Sequence, residues 1–214
     1  DGSYEQYGES EAVTEERIRE LIDLYRRAAR NSIDAGFDGV EIHGAHGYLI
    51  DEFINLKWNR REDDWGGDHR TRFAREVARA VVEEIGADRS WIRISPVMSV
   101  MGEGWQKPEE TFPMLLDDLW EVGLRTLHIS NYEYDEAIMP GDLPLHAATR
   151  AHWKGQVIGV GALTPERAER AIADGEIDVA AFGRALIANP DFASRVRAGE
   201  SLEPYLPELL ETLV

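Results

Sequence analysis

Between Gly39 and Ile50 the chain reads Gly-Val-Glu-Ile-His-Gly-Ala-His-Gly-Tyr-Leu-Ile, so a carboxylate, two imidazoles and a phenol fall within eight residues. Val40 and Ile42 alternate with Glu41 and His43, the period-two pattern of a strand with one apolar and one polar face. Gly44 is expected to end that strand and to leave His46 and Tyr48 on the following loop. A carboxylate and an imidazole on one strand face, opening into a His/Gly/Tyr loop, suit a site at the carboxyl end of a parallel barrel strand better than scaffolding. Glu41 and His43 could work there as an acid–base pair. Three plainer readings stand beside this one. His43-x-x-His46 could ligate a metal, although no cysteine or obvious third ligand accompanies it and no metal is expected. The two histidines could be a satisfied structural pair, and Tyr48 could simply pack.

A second constellation lies near the end of the chain. Gly161-Ala162 follows one expected strand and Gly183-Arg184 the next, each read as opening a helix. Glycine lets backbone N–H groups approach phosphate oxygens, helix N-termini favour the anion, and arginine adds a charge that can bind in two-pronged fashion. Barrels place a phosphate site after their seventh and eighth strands. Asn189-Pro190 reads as the end of a short helix.

The elements that would carry these groups alternate along the chain. Residues 1–13 read as a tail or the end of a preceding loop, and 14–214 as one barrel portion. The start at Asp1, without methionine, looks processed or cut. Thr14 caps a helix with Glu15 and Glu16 in its first turn, and Gly36 closes it. Strands are expected at 38–43, 91–95, 126–130, 156–161 and 178–183. Helices are expected at 73–85, 108–122, 146–152 and 165–174, with short ones after the last strand. Residues 51–68 and 131–145 read as long irregular connections, and 96–107 as a loop. Strand–helix alternation of this kind builds a parallel sheet with right-handed crossovers. Ile92 and Ile94 oppose Arg93 and Ser95, Leu127 and Ile129 oppose His128 and Ser130, and Ile158 and Val160 oppose Gly159 and Gly161. One apolar face for helices and one polar or small face favour a barrel interior over an open sheet buried on both sides.

Composition narrows the partners. The 214 residues are 43% hydrophobic and 30% charged, which suits one globular α/β domain. The formal charge of −18 argues against nucleic acid or an anionic membrane. No apolar run reaches the roughly 18 residues of a membrane span, and no signal peptide is visible. The lack of cysteine removes disulfides and thiolate chemistry and fits a cytoplasmic location. Lysine occurs only at Lys57, Lys107 and Lys154.

Taken in order, His43-Gly-Ala-His46-Gly-Tyr48-Leu, Asn59-Arg-Arg-Glu-Asp-Asp-Trp65-Gly-Gly67, Arg93-Ile-Ser-Pro96, Leu127-His-Ile-Ser130, Val160-Gly161 and Phe182-Gly-Arg184 resemble the Old Yellow Enzyme family of FMN-dependent ene-reductases. The resemblance runs from the first helix to Asn189-Pro190-Asp191-Phe192. It implies an α/β fold of the (β/α)8 TIM-barrel type, with strands four to eight in this chain. It also implies FMN as cofactor, NADH or NADPH as electron donor, and a small enone as substrate. The hydride would pass through FMN to the activated C=C bond of an α,β-unsaturated carbonyl compound. His43 and His46 correspond to the pair of donors that hold the substrate carbonyl, and Tyr48 to the acid that protonates the α-carbon. Arg93 corresponds to the arginine beside the reduced ring, with an interior ion pair to Glu41 as the other reading. Gly161, Ala162, Gly183 and Arg184 correspond to the phosphate site.

The chain departs from the family pattern in two ways. The stretch between Gly67 and Arg70 is short, and the first three strands are missing. Their absence leaves two sheet edges open and three explanations to weigh. The chain is the carboxyl-terminal piece of a cleaved or split enzyme, pairs with a separate chain carrying the first half, or associates with copies of itself. Two other functions remain open: a non-catalytic subunit, and a phosphate-binding barrel isomerase or lyase. No Gly-x-Gly-x-x-Gly fingerprint accompanies these motifs.

Overall fold

The first helix shows how the outer layer is built in this computed structural model, which describes residues 11–99 and 104–212. Helix α1 (Glu15–Asp34) starts at Thr14, whose hydroxyl accepts the Arg17 N–H at 3.2 Å. Its buried Ile18 and Ala29 face helix α3 (Arg72–Ile85), which buries Phe73, Ala74, Val77, Ala78 and Val81. Tyr25 meets Phe73 edge-on, and Arg26 and Arg30 both pair with Glu84 at the rim.

Strands β1 (Val40–His46), β2 (Ser90–Ser99) and β3 (Thr126–Ser130) lie side by side and parallel. The residues between β3 and the next parallel strand, expected to be irregular, form a small antiparallel hairpin of β4 (Ala137–Met139) and β5 (Leu143–Pro144). After it β6 (Gln156–Val160) and β7 (Val179–Ala180) complete a five-stranded sheet in chain order. Helices α2 (Leu49–Ile54), α4 (Pro108–Glu121), α5 (Leu145–His152) and α6 (Pro165–Ala173) fill the crossovers, and α7 (Arg184–Ala188) and α8 (Phe192–Ala198) follow the last strand. Among the described residues, β1 and β7 each have one hydrogen-bonded neighbour and a free edge. No described helix is long and apolar enough to cross a membrane.

The expected two-faced sheet is present. Ile42, Ile92, Ile94, Leu127, Ile129 and Val157 are buried on the helix side. The register sets His43 beside Arg93 and Arg93 beside His128 on the other face.

Strand β6 departs from the expected parity. Val157 pairs with Leu127 and Gly159 with Ile129, so Ile158 and Val160 lie on the same face as His128 and Ser130. Glycine is needed on the helix side because a Cβ at Gly159 would fall 2.8 Å from the Ile177 side chain.

Boundaries differ in several other places. Strand β1 continues through Gly44 to His46, and β2 through Pro96 to Ser99. The 51–68 stretch begins inside α2 and reaches a 3₁₀ turn, Gly67–His69. The last strand is only two residues long; Ala181 adds one more bond to the Gly159 carbonyl before the chain leaves. Residues 1–10 of the expected tail and 100–103 of the expected loop lie outside the described residues.

Candidate functional site

Gly44 does not end its strand; it lets the strand change register. A Cβ there would meet Ile92 Cδ1 at 3.0 Å and the Arg93 carbonyl at 3.1 Å, and the pairing shifts between Gly44 and His46. Two consecutive left-handed residues follow, His46 at φ 63° and Gly47 at φ 79°. Side chains hold both of their amides: Ser95 Oγ accepts from His46 N–H at 2.8 Å, and Asp51 Oδ2 from Gly47 N–H at 2.7 Å. The turn brings three expected site residues together. The His43 ring lies 5.4 Å from His46 and 5.3 Å from Tyr48 between centroids, and Tyr48 is 59% exposed.

Burial lowers the pKa of His46 to about 4, with the charge of Arg93 adding to the effect. His43 is lowered by the same two causes in the same order. Both rings are therefore neutral at neutral pH. Ser130 Oγ lies 3.0 Å from Arg93 Nη2 and 3.0 Å from His46 Nε2. A guanidinium can only donate, so Ser130 accepts from Arg93 and can donate its O–H to His46 Nε2; the ring proton then sits on Nδ1.

Arg93 forms no ion pair with Glu41 among the described residues, which answers that alternative. Glu41 Oε2 instead takes His128 Nδ1 at 2.7 Å and Trp91 Nε1 at 2.9 Å. Burial would raise the Glu41 carboxyl, but these bonds and the nearby charge of Arg93 hold it low. Arg93 Nε and His128 Nε2 are buried without partners among the described residues.

His46, Arg93 and Ser130 form one side of a cavity of about 630 Å³, and Gly161, Ala162, Gly183 and Arg184 line its other side. Six of the eight expected site residues thus share one space, while His43 and Tyr48 stand outside its lining. Gly161 has φ 146°, and a Cβ on it would lie 2.8 Å from the Tyr134 amide nitrogen, so this close approach requires glycine. Contrary to the expectation from sequence, Gly161-Ala162 does not open a helix. Helix α6 begins at Pro165, capped by the Thr164 hydroxyl, and the intervening turn carries Ala162 at φ 43°. Helix α7 does begin at Arg184 but has five residues. The exposed Arg184 guanidinium lies 6.0 Å from the Tyr205 ring and reaches no carboxylate among the described residues. Asn189 closes α7 and bonds the Glu203 backbone from the cavity wall.

Sequence reasoning missed the roles of Ser95, Ser130 and Asp51 as holders of the turn. The two serines follow the inward parity of their strands and were findable. Asp51, next to a helix start, carried no distinguishing signal. Among the described residues no group of three or more His, Asp or Glu could hold a metal ion.

Residues 2–203 match the sequence profile of the NADH:flavin oxidoreductase / NADH oxidase family. The chain is 39% identical to 12-oxophytodienoate reductase 2 of Arabidopsis thaliana over 196 residues, covering 89% of this chain and 52% of that protein. Its structure resembles the old yellow enzyme homologue from Zymomonas mobilis, with a TM-score of 0.87 at 33% identity, covering 97% of this chain and 59% of the other. It also resembles morphinone reductase solved in complex with tetrahydroNAD, with a TM-score of 0.82 at 34% identity over 92% of this chain and 53% of the other. The chain spans about half the length of the relatives it matches.

Proposed function

The chain belongs to the NADH:flavin oxidoreductase / NADH oxidase family, the family of the old yellow enzymes, and its five-stranded sheet is part of a (β/α)8 barrel; from that premise we propose that it binds FMN and serves in hydride transfer from NADH or NADPH to the activated C=C bond of an α,β-unsaturated carbonyl compound. The observation that carries this reading is one cavity with a cationic group at each of two places, neither paired with a carboxylate among the described residues. Arg93 has a buried Nε without a partner on one wall, and Arg184 with two glycine-bearing turns forms the other. A flat anionic ring joined to a phosphate tail fits that pattern of donors.

FMN, when bound, would supply the hydride it has taken from the nicotinamide. The chain's own residues would then divide the remaining work. Gly161, Ala162, Gly183 and Arg184 hold the phosphate, and Arg93 stabilises negative charge on the reduced ring. His43 and His46, neutral and clustered, donate hydrogen bonds to the substrate carbonyl as it gains enolate character. Tyr48, at the exposed end of the ring cluster, gives its proton to the α-carbon. The free edges of β1 and β7 support a further part of this proposal: a segment carrying the remaining strands completes the pocket. The isomerase reading has less support, because Glu41 is bound to His128 and Trp91 rather than poised with His43.

A visible spectrum with added FMN and a simple phenol tests the proposal. The flavin band is expected to shift on phenol addition. His43→Ala should demand about tenfold more phenol, the worth of one hydrogen bond to a charged oxygen, with FMN affinity unchanged. Failure to bind FMN, even with the remaining strands supplied, rejects the proposal.

A further inference from the structure

The His46–Gly47 turn costs energy that its own backbone does not return. A non-glycine residue in the left-handed region is strained by about 1–2 kcal/mol, and the Gly47 amide finds no backbone acceptor among the described residues. The group that receives it is Asp51, in the first turn of α2 and 1% exposed. The same carboxylate takes a second donor from a distant part of the chain, Trp105 Nε1 at 2.5 Å on Oδ1. A carboxylate that merely capped a short helix would do so from the surface, where it stays solvated. This one is withdrawn from water, and burial raises its pKa to about 6.

The segment bearing Trp105 is stitched to β2 and to the stretch after α2 by several bonds. The Trp105 amide donates to the Pro96 carbonyl at 2.8 Å, Asn55 Nδ2 reaches the Gly104 carbonyl, and Gln106 Oε1 accepts from Lys57 N–H. Residues 104–107 follow the strand that supplies Arg93 and Ser95, so Asp51 lies between two elements of the site. One of its oxygens fixes the turn between His46 and Tyr48, and the other fixes the end of the β2 connection.

We propose that Asp51 is the positioning residue of the His46–Gly47–Tyr48 turn, and that Trp105, through Asp51, sets the placement of the His46 imidazole and the Tyr48 phenol. Its importance for catalysis rests on the reading of these two side chains given above; the clasp itself does not.

The test uses two variants and a readout independent of turnover. Trp105→Phe keeps the bulk and deletes only the indole donor; Asp51→Asn keeps the shape and deletes the charge. Amide hydrogen exchange is followed at Gly47, with β2 and α3 amides as internal controls, alongside the ring NMR signals of His46. Trp105→Phe is expected to speed Gly47 exchange at least tenfold and to shift the His46 ring signals, although residue 105 hydrogen-bonds to neither, while the controls keep their protection. Asp51→Asn should do the same more strongly. Wild-type exchange at Gly47 and unmoved His46 signals in Trp105→Phe would overturn the proposal, whatever Asp51→Asn does.

A second arm ties the clasp to chemistry. In the FMN-loaded protein, Asp51→Asn should weaken phenol binding about tenfold, and by much less once Tyr48→Phe and His46→Ala are already present. Additive losses would overturn the link to those side chains. If wild-type protein binds no phenol while the exchange results hold, the ene-reductase reading falls and the clasp stands.

Discussion

The two ends of the cavity are built on opposite plans. Around His46, every backbone donor of the turn has a side-chain or backbone acceptor, and the ring itself is tied through Ser130 to Arg93. At the other end Ala162, Gly183 and Arg184 are exposed, Arg184 has no ionic partner among the described residues, and β7 ends after two residues. Groups that donate to a developing charge must be in place before it develops, since their reorganisation would otherwise add to the barrier. A phosphate brings its own full charge and several acceptor oxygens, and can order a loose turn as it binds. On the function proposed above, rigidity is therefore found where the charge would be transient, and openness where it would be permanent.

The largest effect that would break this contrast is Arg184→Ala. It should raise the FMN dissociation constant by about 10- to 100-fold, the worth of a charge-assisted phosphate contact, with the thermal midpoint of the unliganded chain unchanged. Equal binding by the variant, read by fluorescence quenching of FMN, would mean that the open end is not the phosphate site. Gly161→Ala comes next and acts on the fold. Its φ of 146° and the 2.8 Å approach of the new Cβ to the Tyr134 amide should destabilise the chain by roughly 1–3 kcal/mol. Urea unfolding measures it; a loss below a few tenths would show that the turn at the open end yields, and would sharpen the contrast further.

Much of this arrangement was legible in the sequence, and the exceptions have physical causes. Alternation in Val40–His43, Trp91–Ser95 and Thr126–Ser130 identified strands and faces, because apolar residues must meet the helices. Thr14 and Thr164 announced their helices through capping chemistry that depends only on local residues. Gly44 was misread because a glycine permits both a strand end and a close interstrand approach; only the position of Ile92 decides between them. Strand β6 was read with its faces exchanged because Gly159 looks like an interior small residue, whereas Ile177 on the helix side is what demands it. In the site, residue types located the imidazoles, the phenol and the two glycine-bearing turns that line the cavity. The Asp51–Trp105 clasp joins positions 54 apart in sequence, and no local pattern encodes such a pairing.

The smallest effect concerns pH, where the rigid end contains two titrating groups of opposite sign. The folded His46 stays neutral down to about pH 4, whereas in the unfolded chain it takes a proton near 6.5. Its contribution to stability is present above 6.5 and is lost as pH falls through that window. The folded Asp51 keeps its proton up to about pH 6, while the unfolded carboxyl loses it near 3.8. Its contribution is present at low pH and is lost as pH rises over nearly the same range. The two slopes therefore oppose each other in the wild type. Asp51→Asn removes one of them, and between pH 4.5 and 6 its stability should fall on acidification more steeply than the wild type's. The difference is at most one proton, about 1.4 kcal/mol per pH unit; His46→Gln should change the slope in the other direction, by less because that ring is partly solvated. Urea midpoints across this range read the comparison directly, and titrations common to all three proteins cancel. Parallel curves for wild type and Asp51→Asn would mean that the Gly47 and Trp105 bonds outweigh burial and keep the carboxylate ionised throughout, so that the turn is held by a full charge at every pH where the chain is folded.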